Sequence, residues 1–550
     1  MTLKRLGLII LTLVATLLAG SALLGSWQEP QFQSRLELYQ TNIVLQAASW
    51  EPPNDNSNFK PLQDALLGVK PVESATEQYQ QTRQSAQTNL EKAKKQLAQL
   101  QSQPVTTPTT PKSQSEYPPV LQFQPATTPT TPKSQSEYPP VTNTSSELQQ
   151  QQLQQSLKGL QKLIAELDLR LGILQANQGK IDAALKTWSQ LQQRSDINPE
   201  FDKAAAVLAG LWSDPPRILP NAERLIQNNL EGWFRYTAVD QLYRLQQRQD
   251  ALADLETIQQ KTAEQAILKL AVIGTIPALT AFFGVGLVIF LIGQRLIKGK
   301  TSLLAENSDV RWSTPWDGET ILQVFVIGFF LIGQITGQII VPLTIELLPI
   351  PRPTQNVKIQ ALYVLISYLL VAFGALSVLY LSIKRFFPLP ENWFRFRLQG
   401  SWFLWGLGGY CVALPIVVVV SLINQQLWQG QGGSNPLLQL ALESQDTVAL
   451  AIFFSTAAIA APIFEEVLFR GFLLPSLTRY LSVWGSILAS AFLFAVAHLS
   501  LSEILPLFAL GIVLGVVYTR SRNLLAPMLL HSLWNSGTLL SLFVLGSSGQ

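Results

Sequence analysis

The chain divides into two halves that differ in how apolar and polar residues alternate. From about residue 26 to 265 most positions are polar, whereas after Ile267 long apolar runs are separated by short polar loops. An apolar run of about 20 residues is long enough to cross a bilayer core about 30 Å thick as a helix. The pattern therefore predicts a water-exposed N-terminal half and a membrane-embedded C-terminal half.

Nine apolar runs are candidates for membrane-spanning helices. Residues 6–25 follow Lys4 and Arg5 and are either a secretory signal peptide or an uncleaved signal anchor. The length of the run favours the anchor. The other eight runs are approximately 271–292, 321–345, 361–382, 402–423, 448–470, 483–500, 504–519 and 524–545. The predicted fold is all-α, a polytopic helical membrane protein with about nine transmembrane helices.

Basic residues between the runs predict an orientation, because Lys and Arg concentrate in cytoplasmic loops. The loop 424–446 has neither residue, and Arg352 and Lys358 are an exception in a loop expected outside. The loops expected inside contain Arg295, Lys298, Lys300, Lys384, Arg385, Arg395, Arg397, Arg479, Arg520 and Arg522. We expect an integral protein of the bacterial plasma membrane, with a cytoplasmic N-terminus and residues 26–265 outside.

The polar half contains two helical regions and a repeat. Residues 77–103 are rich in Gln and Ala with helical spacing, which predicts a solvated helix or coiled coil. A tandem duplication follows, QPVTTPTTPKSQSEYPPV from Gln103 and QPATTPTTPKSQSEYPPV from Gln124. Its Pro, Thr and Ser content cannot bury a core, so a disordered, extended linker is expected.

Helical periodicity resumes at Glu147, and LGILQANQGKIDAALKTWSQL at 171–191 resembles a tetratricopeptide repeat (TPR). In this resemblance Gly172 permits close helix packing, Ala184 lies at the helix crossing and Trp188 fills the groove. A single repeat cannot bury its own face, so a further helix pair is expected near 241–256. The region is predicted to be a TPR-like helical module that binds a protein partner.

Composition and charge narrow the classes of function. The chain is 47% hydrophobic and 14% charged, as expected of a membrane protein. The net charge of +3, with Lys and Arg scattered, gives no basic stripe for nucleic acid. A single cysteine, Cys411, excludes intrachain disulfides and Cys-based metal sites.

Three charged residues interrupt an apolar run in APIFEEVLFRGF, residues 461–472. A charge at the bilayer centre costs about 2.5–3.5 kcal/mol, so such residues usually face a protein interior and serve a function. Neighbouring helical residues project about 100° apart, so Glu465 and Glu466 need separate partners. The i, i+4 spacing pairs Glu466 with Arg470 and leaves Glu465 for another task. The alternative is a helix that ends at the interface, with these side chains reaching headgroups.

Both histidines of the chain fall in the last apolar runs, His498 in FAVAHLS and His531 in HSLWNSG. Phe494 lies four residues before His498, and Asn535 lies four residues after His531. Each pair therefore shares a helix face. We expect polar groups from three helices to meet in one cavity. There, Glu and His could activate a water while His and Asn stabilise an oxyanion, or Glu and His could ligate a divalent ion.

These motifs resemble those of the CPBP membrane proteases, which include the type II CAAX prenyl endopeptidases and the Abi proteins. The family motifs EExxxR, FxxxH and HxxxN occur here in order as EEVLFR, FAVAH and HSLWN. They contain Glu465, Glu466, Arg470, Phe494, His498, His531 and Asn535. The resemblance covers about residues 402–545 and implies an intramembrane endopeptidase, with a membrane-associated, CAAX-type protein or peptide as one possible substrate.

The resemblance also implies roles for single residues. Glu465 and His498 would activate the nucleophilic water, and His531 and Asn535 would stabilise the oxyanion. Glu466 and Arg470 would hold the acid-bearing helix in place, with Phe494 in a supporting role. If the protease is metal-dependent rather than of the glutamate type, a divalent metal such as zinc would be held by Glu465, His498 and His531.

Six segments follow as predicted domains, and two functions stay open for the chain. The segments are a signal anchor or signal peptide at 1–25, a helical or coiled-coil region at 26–102, the duplicated linker at 103–145, the TPR-like domain at 146–265, additional transmembrane helices at 266–400 and a CPBP-like protease domain at 401–546. The first function is the endopeptidase. The alternative is a non-catalytic membrane scaffold or immunity-type protein that binds a partner through its helical extracytoplasmic region. A transporter is disfavoured because no second half repeats the motif segment.

Overall fold

The computed structural model describes residues 2–27, 33–51, 64, 66–102, 144–194, 196, 198–347, 356–428, 431–435, 437, 438, 440 and 446–546. Regular structure within these ranges is helical, which confirms the predicted all-α fold. Residues 103–143 of the predicted linker at 103–145 lie outside the described residues, so their predicted disorder stays a prediction, whereas the last two residues of that range begin a helix at Thr144. The chain forms two compact units, Tyr79–Leu230 and a second unit made of Met1–Gln78 with Glu231–Gln550.

The main helices are numbered here in chain order. They are α1 Leu3–Ser26, α2 Gln33–Ala48, α3 Pro71–Ser102, α4 Thr144–Asn177, α5 Ile181–Gln192, α6 Pro199–Leu211, α7 Ala222–Asn229, α8 Gly232–Leu245, α9 Gln249–Lys298, α10 Gly318–Thr344, α11 Val357–Ile383, α12 Trp402–Trp428, α13 Thr447–Leu477, α14 Val483–Val496, α15 Ile504–Ser521 and α16 Leu525–Gly546. The predicted boundary between residues 265 and 266 falls inside α9, which is continuous over 50 residues.

Eight helices in the described ranges are long and apolar enough to cross a membrane: α1, α9, α10, α11, α12, α13, α15 and α16. The predicted ninth span is shorter than expected, because α14 has 14 residues and a length of about 21 Å at 1.5 Å per residue. The helix ends there because the chain turns before His498, and Leu499 adopts a left-handed φ of 55°. The described residues thus contain eight candidate spans and one short apolar helix, in agreement with the predicted polytopic fold of about nine helices.

The unit Tyr79–Leu230 contains the helix hairpin formed by α4 and α5. Trp188 is fully buried, and its Nε1 donates a hydrogen bond to the Leu169 carbonyl at 3.1 Å. A Cβ at Gly172 would overlap the Trp188 indole ring, and Ala184 is fully buried beside it. The predicted close packing of Gly172 and Trp188 is present, whereas the position of Ala184 at the helix crossing and the assignment to the tetratricopeptide class stay predictions.

The other unit holds the membrane helices. Within it, α12 packs against α9, α15 and α16, and α14 packs against α15. Helices α10 and α11 pack against each other, and α11 also packs against the first turns of α13. An aromatic core joins α10 and α11 to α13, with Phe325, Phe329, Tyr368, Phe464, Phe469 and Phe472 among its members. This packing brings α11, α13, α14 and α16 together around the acidic motif.

Helix α1 is an integral part of the same unit. At its start, Lys4 Nζ and Arg5 Nε lie 2.8 Å and 3.2 Å from the carboxylate of Glu319, at the first turn of α10. At its end, the Ser26 hydroxyl accepts a hydrogen bond from the Leu501 amide at 3.1 Å. Helix α1 therefore contacts α10 at its first turn and the Leu501 segment at its last turn.

Candidate functional site

Helix α13 carries the acidic motif at a change in its helical geometry. It is α-helical over Ala461–Glu465 and π-helical over Glu466–Leu473, with another π-helical stretch at Ser455–Ala460. Short π-helical segments inside α-helices are frequent at functional sites, although α10 also contains two of them. Glu465 and Glu466 therefore lie on either side of this junction and meet different neighbours.

Glu466 is the centre of a buried ion pair. Its Oε1 lies 2.8 Å from Arg470 Nη1 and 2.8 Å from His531 Nδ1. The side chains of Glu466 and Arg470 are 0% and 1% exposed, so neither reaches a headgroup and the interface alternative is wrong. The ion pair predicted from the spacing is present. Because a carboxylate oxygen only accepts, His531 Nδ1 is a donor in this contact.

Arg470 connects the ion pair to α14 and α15. Its guanidinium carbon lies 4.4 Å from the centre of the Phe494 ring, which is a cation–π contact. Its Nη2 donates to the Gly511 carbonyl at 3.4 Å. Phe494 is fully buried and makes edge contacts with both histidine rings, at centroid distances of 5.0 Å for His498 and 5.8 Å for His531. Phe494 thus supports both histidines by packing.

Glu465 has a different environment from its neighbour. Its Oε1 accepts a hydrogen bond from the Tyr368 hydroxyl at 3.1 Å. Its Oε2 is buried, has no hydrogen-bond partner within the described ranges, and lies 3.9 Å from His531 Nε2. That distance is too long for a direct hydrogen bond. Glu465 therefore keeps one carboxylate oxygen available beside a histidine.

His498 and Asn535 lie at the edge of this cluster. His498 Nδ1 donates to the Phe494 carbonyl at 2.8 Å, and no hydrogen bond or ion pair joins it to Glu465 in the described part of the chain. Asn535 Nδ2 donates to the Ala457 carbonyl at 2.7 Å, in the π-helical turn of α13. Glu465 therefore has His531 as its nearest histidine, and His498 contacts the cluster through Phe494.

Two residues near the site were not predicted from the sequence. Tyr368 lies on α11 in an apolar run without a motif, so nothing in the sequence marked it. Glu503 is partly buried, accepts a hydrogen bond from the Asn435 amide at 2.7 Å and lies within electrostatic range of His498.

The predicted metal ligands do not form a metal site in this arrangement. Zinc is held by three or four Cys, His, Asp or Glu ligands at about 2.0–2.3 Å. No group of three such side chains is placed to hold a metal ion among the residues that were described. Glu465, His498 and His531 are therefore not grouped closely enough in the described structure to hold one ion together.

The fold and the cluster define a polytopic α-helical membrane protein with a buried acid and histidine site inside its helix bundle. Residues 447–537 match the family model of type II CAAX prenyl endopeptidase Rce1-like proteins. This segment contains all of the motif residues discussed above. The C-terminal part of the chain thus contains an Rce1-like segment, similar to the CAAX proteases of membranes.

Curated relatives agree with this assignment. The chain is 26% identical over 218 residues to YdiL of Bacillus subtilis, a candidate membrane peptidase. The matched residues are 38% of this chain and 85% of YdiL. It is 26% identical over 137 residues to the membrane-embedded CAAX protease MroQ of Staphylococcus aureus, covering 24% of this chain and 54% of MroQ. An uncharacterised 24.3 kDa protein of Escherichia coli is 40% identical over 81 residues, 14% of this chain and 37% of that protein. No solved structure matches the chain.

Proposed function

We propose that the chain hydrolyses a peptide bond in a membrane-associated protein or peptide, with Glu465 as the general base that activates water. The observation that supports this most is the free carboxylate oxygen of Glu465, buried and 3.9 Å from His531 Nε2. The Rce1-like match and the name of MroQ make a CAAX-type substrate the first class to test.

The geometry favours a water bridged between Glu465 and His531. With its Nδ1 proton donated to Glu466, a neutral His531 has an acceptor at Nε2. Two acceptors 3.9 Å apart suit a water that donates one hydrogen to each. Such a water directs its lone pairs away from both groups, towards a substrate carbonyl. Proton transfer to a positioned carboxylate contributes about 10²–10⁴ in rate.

Asn535 and His498 are the remaining groups for the substrate. Asn535 uses one amide proton on the Ala457 carbonyl, and we assign its second amide proton to the oxyanion. Loss of one such donor lowers kcat by about 10²–10³-fold. His498 uses Nδ1 on the Phe494 carbonyl, which leaves Nε2 for water or substrate. His498 would therefore share in proton transfer, with His531 in the closer position.

The test uses the full-length chain in detergent. The probes are a farnesylated CAAX peptide and unprenylated, internally quenched peptides, with and without chelator. Glu465→Gln should lose cleavage by at least about 10²-fold, while Glu391→Gln, at an exposed position, serves as the matched control. Cleavage by Glu465→Gln at the wild-type rate would refute the proposal. Activity that persists in chelator would support the metal-free reaction, and activity lost in chelator would contradict it.

The two histidines can be separated in the same assay. His531→Gln should lose more activity than His498→Gln, because only His531 lies beside the free oxygen of Glu465. The reverse order would show that the water is bound by Glu465 and His498 instead. A wild type that cleaves none of the probes would favour the non-catalytic scaffold.

We also propose that the basic end of the membrane unit faces the cytoplasm. Lys4 and Arg5 pair with Glu319, and Arg479 donates to the Thr314 carbonyl at 3.2 Å and to the Trp316 carbonyl. The basic loops are thus gathered at the end of the unit where α1 begins, which the positive-inside rule assigns to the cytoplasm. Residues 26–265 would then lie outside.

A further inference from the structure

Tyr368 is the one side chain outside α13 that donates a hydrogen bond to Glu465 among the described residues. The Tyr368 hydroxyl lies 3.1 Å from Glu465 Oε1, whereas His531 lies beside Oε2. A phenol donates one proton and the carboxylate accepts it, so this contact fixes which oxygen remains free. The residue belongs to α11 and lies before residues 447–537, the segment that matches the family model.

The Tyr368 ring is held by aromatic packing rather than by the hydrogen bond alone. It meets the Phe464 ring edge to face, at a centroid distance of 5.9 Å and an interplanar angle of 86°. Phe464 in turn stacks on Phe329 of α10, with centroids 6.4 Å apart. A donor with a packed ring cannot easily rotate away, so it can hold its acceptor in one geometry.

We propose that Tyr368 is a positioning residue for the general base, which extends the active site to α11. Its hydrogen bond holds Glu465 Oε1 and turns Oε2 towards His531. This inference rests on the proposed function only for its effect on rate, because the hydrogen bond itself can be tested without substrate.

Other charged groups act on Glu465 and must be kept constant in the test. On its own helix these are Glu466 and Arg470, and from α16 the group is His531. Tyr368→Phe changes none of them and keeps the ring that packs on Phe464. Tyr363→Phe makes the same chemical change five residues earlier on α11, where no hydrogen bond to Glu465 is formed in the described structure. It is therefore the matched control.

The first experiment measures kinetics of the full-length protein with the farnesylated peptide. Tyr368→Phe should lower kcat about tenfold to hundredfold, the loss expected for one hydrogen bond to a charged group. KM should stay unchanged, since Tyr368 contacts the base rather than the substrate. Wild-type kcat in Tyr368→Phe would overturn the proposal.

The second experiment needs no substrate. The carboxylate stretching bands of Glu465 are isolated by infrared difference between the wild type and Glu465→Gln. These bands should shift in Tyr368→Phe and stay in place in Tyr363→Phe. Unshifted bands in Tyr368→Phe would overturn the positioning role even if the protein is a protease. Shifted bands in a protein that cleaves no peptide would support the contact while the proposed function fails, so the two failures are distinct.

Discussion

Arg470→Met should destabilise the protein strongly, because it leaves the Glu466 carboxylate buried without its guanidinium partner. The two side chains are 1% and 0% exposed, and their closest atoms lie 2.8 Å apart. Removing one partner of a buried ion pair costs about 3–5 kcal/mol, since an uncompensated charge stays in the interior. Methionine fills much of the space of the arginine stem, so the loss is chiefly electrostatic. Arg397→Met, at an exposed position, should change stability by less than about 0.5 kcal/mol.

A double-mutant cycle separates the pair from its surroundings. Glu466→Gln removes the charge but also weakens the contact of Oε1 with His531 Nδ1. The double variant with Arg470→Met carries no buried charge at either position. The double variant should lose less free energy of unfolding than the sum of the losses of the two single variants. The expected coupling energy is about 2–3 kcal/mol, which is at the upper end of the range for residues in one network.

The assay is reversible unfolding of the full chain in mixed micelles, followed by circular dichroism. The free energy of unfolding is compared for the wild type, both single variants, the double variant and Arg397→Met. Additive losses in the cycle would contradict a direct pair. A loss for Arg470→Met no larger than that of the control would mean that water or lipid headgroups reach Glu466, and would refute the buried ion pair.

Two further predictions concern the outer helices and the orientation. Gly172→Ala should destabilise the α4 and α5 hairpin by about 1–3 kcal/mol, because a Cβ overlaps the buried Trp188 ring. Gly159→Ala on the same helix, with no atom near its Cβ, should be neutral or slightly stabilising. Hydrogen exchange of the full chain would measure the protection of the hairpin in both variants. Equal protection in the two variants would contradict the packing. In intact cells of a variant whose native cysteine is replaced by Ser, an impermeant maleimide should label Gln84→Cys at once and Lys300→Cys only after permeabilisation. The opposite labelling pattern would contradict the proposed orientation, in which residues 26–265 lie outside.

The local part of the site was predictable, because it depends on helix geometry alone. The i, i+4 spacing gave the pairing of Glu466 with Arg470, and the structure contains that ion pair. The all-α fold followed from the length of the apolar runs in the same way. The packing of Gly172 and Trp188 was predictable because a known helix hairpin has the same pattern of small and large residues.

Contacts between helices could not be derived from spacing. The closeness of His531 to both glutamates depends on how α16 packs on α13. The hydrogen bond from Tyr368 to Glu465 depends on how α11 packs on α13, and the sequence around Tyr368 contains no motif that marks it. The short α14 was missed because hydropathy continues past Val496 while the backbone turns. The hydrogen bond from the Asn435 amide to Glu503 likewise joins residues that are distant in the sequence.

The two adjacent glutamates differ in how far their charge is compensated, and this difference explains why one position can hold a base. Both glutamates have a buried Oε2 without a hydrogen-bond partner in the described part of the chain. Glu466 Oε1, however, has a guanidinium and an imidazole donor at 2.8 Å, which stabilise its charged form. Glu465 Oε1 has a single neutral donor, and its Oε2 lies beside His531 Nε2, so a proton accepted there breaks no ion pair with Arg470. Glu466 also fixes His531 through Nδ1 and directs Nε2 at Glu465. Glu466→Gln should therefore lower cleavage through His531 even where the folded protein survives, which a role in helix packing alone would not produce.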